Sequence, residues 1–358
     1  TPHWPFNLRA VTIFRPVRYW RKTRRVISIY IRLIEARLGM VITASPEEVG
    51  KALADASVEV LTEEELYSLL KMGGVRAYIG IEPSNVLHLG TLVACEPLIR
   101  LARAGFKTIY LLADVHGWLN DKGELDQLQE IAKKNQELLS KILRSRGVSE
   151  ADVEFVLGSS YQFDTKYVMK MMHLAKLVTA SEARKAMDTI SKKDVMHRVG
   201  SEFYALMQCL DIGYLGVNVA VGGMDQRKIH VMAREYLRKL GYAKPVAIHT
   251  PIILGLDGRA KMSKSLDNAI FLDDDEDSVS RKIFQAFCPE HEMEGNPLTM
   301  LVRWVVFPWL GFFEAGGKTY QSFEEFAEDW RSGYLRAKIL KEGLTEALSK
   351  IMRGIRSS

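Results

Sequence analysis

The feature that most constrains this chain is a series of short, continuous apolar runs separated by amphipathic segments. The runs span residues 75–81, 107–114, 153–157, 217–221 and 246–254. Strands buried on both faces give such uninterrupted runs, and helices between them make neighbouring strands parallel. The alternation therefore predicts an α/β protein with a doubly wound parallel sheet. Ligands bind such sheets at the carboxyl ends of the strands, so the residues after each run are candidates for one shared site.

Helical patterns fill most of the remaining chain. Residues 46–71 predict two helices, with Ser45 and Thr62 as N-caps before acidic first turns. Further helices are predicted in the stretches 88–104, 124–146, 165–197, 202–214 and 225–240. No strand pattern follows residue 277. We expect a basic, helical N-terminal extension (1–60), a catalytic domain (61–276) with a helical connective insertion around 160–200, and an α-helical C-terminal domain (277–358).

Length and composition bound the class of protein. A chain of 358 residues with 47% hydrophobic and 26% charged residues is typical of a soluble globular protein of two or three domains. Its apolar runs are shorter than the ~20 residues of a membrane span, so no membrane partner is expected. The net charge of +5 permits a polyanionic partner. Cys95, Cys209 and Cys288 form no CxxC pair, which predicts reduced thiols, no metal site and a cytoplasmic location.

Residues 1–39 carry arginines among aromatic side chains, followed by an apolar stretch that Arg32 interrupts. Three interpretations fit this composition: a targeting segment, an arm that binds RNA or a membrane surface, and an extra packed helix. We favour the packed helix. Met40 resembles an ordinary protein start, which favours an extension upstream of it.

Two lysines and two serines are concentrated in the stretch 261–265, Lys-Met-Ser-Lys-Ser, within a loop of glycine and small polar residues. Their ammonium and hydroxyl groups suit a transferring phosphate, although a solvated basic loop would look the same. Far upstream, His88-Leu89-Gly90-Thr91 opens a predicted helix after a strand. There His88 can donate to phosphate, and Gly90 lets a purine ring approach the backbone.

A third polar segment follows the predicted strand 217–221. Gly222-Gly223 ends the strand, and Asp225 begins a helix, where its carboxylate can accept hydrogen bonds from ribose hydroxyls. An ordinary left-handed turn with a helix cap is the alternative. In the preceding helix, Tyr204, Gln208 and Asp211 share one face. Since a buried carboxylate needs a partner, this face predicts a binding surface.

Together these segments resemble a known family. Residues 88–91 and 261–265 resemble His-Ile-Gly-His and Lys-Met-Ser-Lys-Ser, the two signatures of class I aminoacyl-tRNA synthetases. Residues 222–226 are similar to a segment of the tyrosyl and tryptophanyl enzymes, and 204–216 resemble the tyrosine-binding helix of archaeal and eukaryotic-type tyrosyl-tRNA synthetases. The resemblance covers about residues 60–290.

The resemblance implies a Rossmann-like, HUP-type catalytic domain and a ligase reaction. Tyrosine and ATP, with Mg²⁺, would give tyrosyl-adenylate and pyrophosphate, and the tyrosyl group would pass to the 3′ end of tRNA(Tyr). The family is homodimeric, and its helical C-terminal domain binds the anticodon. The family's anticodon-contacting segment has no clear match at 334–341, so no residue is assigned there.

The resemblance also assigns roles by position. The residues that stabilise negative charge on the phosphates would be His88, Lys261 and Lys264. ATP-binding positions would be Gly80, His88, Gly90, Thr91, Gly222, Gly223, Asp225, Lys261, Met262, Ser263, Lys264 and Ser265. Tyrosine-binding positions would be Tyr78, His116, Tyr204, Gln208, Asp211 and Gln226, with Tyr161 and Gln162 as weaker candidates. Thr91 replaces the second histidine of the first signature and cannot carry its positive charge.

The substrate phenol would lie between Tyr78, which donates a hydrogen bond, and Asp211, which accepts one. A site of this kind rejects phenylalanine by about 10⁵. Arg227 and Lys228 match a basic pair that meets the tRNA acceptor end, although they could be ordinary surface charges.

Three rival functions are considered: a tryptophanyl enzyme, a non-catalytic RNA-binding relative, and a nucleotidyltransferase without tRNA. The pair Tyr78 and Asp211 argues against the tryptophanyl enzyme. The intact 261–265 stretch argues against the non-catalytic relative, and the basic C-terminal region argues against the nucleotidyltransferase.

Overall fold

The computed structural model describes residues 44–83, 87–188, 198–263 and 266–358. The predictions for residues 1–39, for the end of the insertion (189–197) and for Lys264 and Ser265 lie outside these ranges. Within them, no helix combines the length and the apolar character needed to cross a membrane.

A six-stranded sheet forms the centre of the fold. Its strands are β1 (Glu59–Leu61), β2 (Arg76–Ile81), β3 (Lys107–Leu112), β4 (Val153–Leu157), β5 (Val219–Gly223) and β6 (Val246–Thr250), in the spatial order β1-β6-β5-β2-β3-β4. Strands β2 to β6 are parallel, which confirms the predicted sheet. The edge strand β1 pairs antiparallel with β6 and was not predicted, because three residues are too few to show a pattern.

Helices connect and cover these strands. They are α1 (Pro46–Asp55), α2 (Glu63–Met72), α3 (Leu89–Arg103), α4 (Asp114–Leu119), α5 (Leu125–Ser145), α6 (Thr165–Ala175), α7 (Ala180–Met187), α8 (Val199–Tyr214) and α9 (Arg227–Tyr236). Both predicted N-caps are confirmed, since Ser45 accepts from the Glu48 N–H and Thr62 from the Glu65 N–H. Short 3₁₀ turns flank α9 within the predicted helix 225–240.

The core has one apolar layer on each face of the sheet. Along β2, Ala77 and Ile79 point into a layer shared with α1, α2, α3 and α5, whereas Tyr78 points into a layer shared with α6, α7, α8 and α9. This alternation is the two-residue period of a strand. Because helices cover both faces, the predicted doubly wound architecture is confirmed. The side chain of Tyr78 therefore emerges on the face covered by α8.

The C-terminal region is mainly helical, with α10 (Glu276–Gln285), α11 (Pro297–Leu301), α12 (Phe307–Leu310), α13 (Phe323–Ser332) and α14 (Ala337–Arg356). The prediction of no strands after residue 277 is wrong. A hairpin of β7 (Phe313–Ala315) and β8 (Lys318–Tyr320) turns through Gly316 and Gly317, whose φ values of 61° and 77° suit a two-residue turn. Strands this short leave almost no period-two signal. Residues 45–358 form one compact unit, and the domain boundary near residue 276 stays a prediction.

Candidate active site

A cavity of 430 Å³ opens at the carboxyl ends of the central strands, where a parallel sheet of this kind binds ligands. Most of the residues predicted from sequence line it: Tyr78, Gly80, His88, Gly90, Thr91, His116, Tyr204, Gln208, Gly222, Gly223, Asp225, Gln226, Lys261, Met262 and Ser263. Asp211, Tyr161 and Gln162 lie behind this lining, and Arg227 and Lys228 lie outside it. One cavity thus joins segments that are up to 185 positions apart, from Tyr78 to Ser263.

His88 is the N-cap of α3, and its Nδ1 accepts a hydrogen bond of 3.1 Å from the Gly90 N–H. Burial and the nearby positive charge of Lys261 lower the pKa of His88, so the ring is neutral at pH 7. Because Nδ1 is the acceptor, the ring proton is on Nε2, which can donate to an anion. A Cβ on Gly90 would lie 2.8 Å from His88 Cε1, so only glycine fits here without displacing the imidazole.

The described part of the lysine–serine stretch is held by backbone contacts. Leu254 and Lys261 form an antiparallel bridge, and the Met262 N–H donates to the Ile253 carbonyl at 2.8 Å. The buried Asn268 accepts from the Ser263 N–H at 2.9 Å. Lys261 is thereby directed into the cavity, where its Nζ lies 3.0 Å from Asp225 Oδ2.

The two glycines that end β5, Gly222 and Gly223, pack closely against neighbouring side chains. A Cβ on Gly222 would lie 3.0 Å from His230 Cε1, and one on Gly223 would lie 2.7 Å from Asp225 Oδ1. Gly223 has a φ of −66°, so the left-handed turn considered as an alternative is not what these glycines form. The backbone here stays open to the cavity, beside the carboxylate of Asp225.

Asp211 is fully buried and is the acceptor for three side chains. Its Oδ1 accepts from the hydroxyls of Tyr161 at 2.8 Å and Tyr167 at 2.7 Å, and Gln162 Nε2 lies 3.1 Å from Oδ1 and 3.0 Å from Oδ2. Burial raises the pKa of Asp211 to about 6, although these three hydrogen bonds oppose the rise. His116 Nε2 is 3.5 Å from Oδ2. Two of these partners were only weak candidates, and Tyr167 was missed.

A signal for Tyr167 exists in the sequence. Tyr167, Met171 and Leu174 are spaced by four and three positions and form the buried face of α6. This spacing predicts a tyrosine that points inward, but it does not identify which group the hydroxyl meets.

The buried hydroxyl of Tyr78 makes no hydrogen bond of ordinary geometry to the described residues, although Gln208 lies close enough to lower its pKa slightly. Its pKa is raised well above the usual range by burial and by the negative charge of Asp211, so it remains a neutral donor. Its neighbour His116 packs edge-on against Tyr204, with ring centroids 4.8 Å apart. Burial lowers the pKa of His116 to about 4, so it too is neutral at pH 7. This end of the cavity therefore offers an unused phenolic donor close to a carboxylate.

Hydrogen-bond acceptors are concentrated on the side of the cavity formed by α8. Gln208 Nε2 donates to Gln226 Oε1 at 3.0 Å, while Gln208 Oε1 is buried without a partner among the described residues. Glu82 lines the cavity and accepts from Asn120 Nδ2 at 3.1 Å, a site residue that the sequence analysis missed. Burial and the charge of Glu82 raise the pKa of Tyr204. The arrangement suits a ligand that carries a positive charge.

Arg227 and Lys228 begin α9, just beyond the cavity. Arg227 Nε lies 2.8 Å and 3.0 Å from the two carboxylate oxygens of Glu59, and this hydrogen bond lowers the pKa of Glu59. Lys228 Nζ donates to the Lys185 carbonyl at 2.9 Å. Both side chains are more than two-fifths exposed, so they remain accessible to a partner.

The sheet and the two nucleotide-type segments at its carboxyl edge define a class I aminoacyl-tRNA synthetase catalytic fold. The family model described as "tRNA synthetases class I (W and Y)" matches residues 71–353. Among relatives, the tyrosine–tRNA ligase of Archaeoglobus fulgidus is 42% identical over 306 residues, covering 83% of this chain and 93% of the relative. That of Methanopyrus kandleri is 40% identical over 320 residues, covering 87% and 98%. The chain belongs to the tyrosine–tRNA ligase family.

Solved structures agree with this assignment. The Archaeoglobus fulgidus tyrosyl-tRNA synthetase complexed with L-tyrosine has a TM-score of 0.82 and 41% identity, covering 87% of this chain and 99% of that one. The tryptophanyl-tRNA synthetase of Giardia lamblia, at 17% identity and a TM-score of 0.66, covers 83% and 82% and is similar in fold alone. The family assignment therefore favours the tyrosyl interpretation over its tryptophanyl rival.

Proposed function

We propose that this cavity carries out both steps of the tyrosine–tRNA ligase reaction, with substrate contacts made by the side chains described above. The tyrosine carboxylate attacks the α-phosphorus of ATP, the bond to pyrophosphate breaks, and tyrosyl-adenylate forms. A hydroxyl at the 3′ end of tRNA(Tyr) then attacks the tyrosyl carbonyl, the bond to AMP breaks, and tyrosyl-tRNA and AMP are released. The observation that carries the assignment of the amino-acid end is the unused hydroxyl of Tyr78 close to the buried carboxylate of Asp211.

The substrate phenol fits between these two groups. A phenol has one donor and one acceptor, so Tyr78 donates to its oxygen while Asp211 accepts its proton. Phenylalanine would leave the buried Tyr78 hydroxyl without an acceptor and Asp211 without the substrate donor, which supports a discrimination of about 10⁵. An indole has a single N–H donor and no acceptor for Tyr78, so the same pair disfavours tryptophan.

The substrate ammonium fits the acceptors along α8. Gln208 Oε1 is a buried acceptor that makes no hydrogen bond to the residues the structure describes, and Gln226 is held against the same side chain. Tyr204 and the carboxylate of Glu82 complete this side. With phenol and ammonium held at two places, the carboxylate is directed toward the nucleotide half of the cavity.

In the nucleotide half, Lys261 Nζ supplies positive charge and the neutral ring of His88 donates from Nε2 to the α-phosphate as it becomes five-coordinate. Lys264 is proposed for the same role on the pyrophosphate side. Asp225 accepts from the ribose hydroxyls, and no side chain acts as a covalent nucleophile. The protein's contribution is to position the two substrates and to neutralise charge.

Mg²⁺ is proposed to enter with ATP. Among the residues that the structure describes, no group of three or more His, Cys, Asp or Glu side chains is placed to hold a metal ion. Mg²⁺ keeps several waters and takes substrate phosphates as ligands, so the triphosphate supplies most of its coordination. The ion would neutralise charge on the departing pyrophosphate.

For tRNA, we propose that Arg227 and Lys228 meet the acceptor end and that the helical region after residue 277 contacts the anticodon stem. Both basic side chains begin α9 beside the cavity and remain partly exposed. Aminoacylation of tRNA and the buried thiols of Cys95 and Cys209 support a cytoplasmic location.

A homodimer is proposed from one apolar surface. Phe163, Val168, Met169, Met172 and Leu177 lie on or beside α6 and are each more than one-third exposed. The opposite face of α6 is buried, so this helix carries apolar side chains inward and outward. Several exposed apolar side chains on one helix are typical of a protein interface. Met172→Glu should shift the mass measured by light scattering to that of a monomer, whereas an unchanged mass would exclude this surface.

The experiment that tests the proposed function is amino-acid-dependent ATP–pyrophosphate exchange with tyrosine, tryptophan and phenylalanine. Exchange with tyrosine alone, and its loss in Asp211→Ala, is the expected result. Exchange with tryptophan would contradict the pocket assignment. No exchange with any amino acid would favour the non-catalytic RNA-binding relative.

A further inference from the structure

The buried carboxylate of Asp211 is held by more donors than binding a substrate phenol requires. Two phenolic hydroxyls converge on Oδ1, from Tyr161 at 2.8 Å and Tyr167 at 2.7 Å. Gln162 Nε2 bridges both oxygens. Like Asp211 itself, these three side chains lie behind the residues that line the cavity. Because all three donate to the carboxylate, we expect them to act on the substrate through Asp211.

Resting on the proposed function, we propose that Tyr161 and Tyr167 are positioning residues for tyrosine selection. By occupying Oδ1 they fix the orientation of the carboxylate and keep it ionised, which leaves Oδ2 to accept the substrate hydroxyl. They act through Asp211 and do not touch the substrate. Their hydroxyls therefore affect tyrosine binding while leaving ATP binding unchanged.

The scaffold around the two tyrosines supports this role. Asp114, the first residue of α4, accepts from the Ser159 N–H at 2.9 Å and so holds the turn that precedes Tyr161. A Cβ on Gly158 would lie 2.8 Å from Asp114 Oδ1 and 2.7 Å from Gln162 Oε1, so glycine is needed for this close approach. The position of Tyr161 is therefore fixed by this turn, whereas the position of Tyr167 is fixed by the buried face of α6.

The charge state of Asp211 follows from its surroundings. Among the described residues, the titratable groups around it are Tyr78 on β2, His116 on α4, Tyr161 after β4, Tyr167 on α6 and Cys209 on its own helix. Burial raises the pKa of the carboxyl to about 6, and the hydroxyl donors pull it down. Hydrogen bonds to an ion stabilise the ion, so removing either hydroxyl moves this pKa further up.

A matched control exists in the same aromatic cluster. Tyr214 stacks on Tyr161 with ring centroids 5.4 Å apart and packs edge-on against Tyr167 at 5.1 Å. It donates no hydrogen bond to Asp211 among those described. Tyr214→Phe therefore removes a hydroxyl from the cluster while leaving the carboxylate fully bonded.

The test is the pH dependence of kcat/KM for tyrosine in pyrophosphate exchange, with KM for ATP measured alongside. In the wild type the acid limb should lie near the pKa of Asp211, about 6. In Tyr167→Phe and Tyr161→Phe it should move up by about one pH unit, and KM for tyrosine near neutral pH should rise about tenfold, as for a lost hydrogen bond to a charged group. KM for ATP should not change, and Tyr214→Phe should behave as wild type.

Two results would overturn the inference. A loss in Tyr167→Phe that is equal at every pH would indicate a merely structural role, and unchanged kinetics in both tyrosine variants would indicate none. Wild-type protein without tyrosine-dependent exchange would instead remove the proposed function itself. The three variants keep an aromatic ring of the same shape, so their thermal unfolding checks that packing is retained.

Discussion

Lys261 Nζ lies 3.0 Å from Asp225 Oδ2, so the first lysine of the 261–265 stretch is paired with the carboxylate that we assign to the ribose. The two residues come from different parts of the sheet edge, and their pairing closes the nucleotide half of the cavity. We expect that, when ATP binds, phosphate oxygens replace Asp225 as the partner of Lys261 and ribose hydroxyls replace Lys261 as the partner of Asp225.

Replacing Lys261 should therefore reduce activity far more than stability. The Lys261 side chain is 48% exposed, and an ion pair so exposed contributes less than about 1 kcal/mol to the free energy of unfolding. Removing one charged group from a developing phosphate transition state lowers kcat by about 10²–10³. Pyrophosphate exchange and urea unfolding of Lys261→Ala measure the two effects.

The matched control for this variant is Lys107→Ala. Lys107 Nζ lies 3.0 Å from Asp152 Oδ1, and its side chain is 59% exposed, but it is far from the cavity at the start of β3. It should show a similar small change in stability and normal exchange. Equal activity in the two lysine variants would contradict the role of Lys261.

Gly90→Ala should disturb catalysis through His88. The added Cβ would lie 2.8 Å from His88 Cε1, so the imidazole must leave the position where its Nε2 faces the cavity. We expect the exchange rate to fall by about tenfold or more, as when a donor to the transition state is misplaced. Gly354→Ala is the control, because that helical glycine has open space around it. It should raise the free energy of unfolding by about 0.5–1 kcal/mol with full activity.

Asp211 should make stability depend on pH in an unusual direction. Its pKa of about 6 in the folded protein lies above the ordinary 3.8 because burial disfavours the carboxylate. The folded protein therefore binds this proton more tightly than the unfolded chain, and the free energy of unfolding falls as pH rises from about 4 to about 6. Against Asp211→Asn, which does not titrate, the wild type should lose about 2 kcal/mol between about pH 4.5 and pH 7.5. A constant difference across that range in denaturant melts would contradict the shift.

Glu96 should be a strong determinant of stability although it does not line the cavity. It is 2% exposed, and it pairs with Arg100 at 2.8 Å and with Arg146 at 2.8 Å and 3.0 Å. Glu96→Ala leaves two guanidinium groups without their carboxylate, which costs about 3–5 kcal/mol in such buried pairs. Urea unfolding measures this loss. Glu130→Ala, which breaks an exposed pair with Lys133, should change stability by less than about 1 kcal/mol.

The parts of the fold that could be predicted are those with a repeating local signal. The apolar strands from 75 to 250 and most helices between them were located to within a few residues, because each has many positions that agree. The short helix α4 was not predicted, and the predicted helical stretch 165–197 contains the two helices α6 and α7. Strand β1 and the β7–β8 hairpin were missed, since three residues cannot establish a period. The glycines of the nucleotide-type segments could also be predicted, because each lies in a short local motif that is typical of nucleotide binding.

The missed parts of the site depend on contacts between distant segments. Tyr167 meets Asp211 across 44 positions, and Arg227 meets Glu59 across 168. Nothing near Tyr167 in the sequence distinguishes a hydroxyl that reaches a buried carboxylate from one that reaches solvent. Pairings of this kind are fixed by how helices pack on the sheet, so they become visible only in the fold.

The most direct test of the central claim is a crystal structure with a non-hydrolysable tyrosyl-adenylate analogue. We predict that the phenol oxygen lies within hydrogen-bond distance of the hydroxyl of Tyr78 and of Asp211 Oδ2. We also predict that the ribose hydroxyls donate to Asp225 and that Lys261 contacts the phosphate instead of Asp225. A phenol bound elsewhere in the cavity, with Tyr78 and Asp211 unchanged, would contradict it.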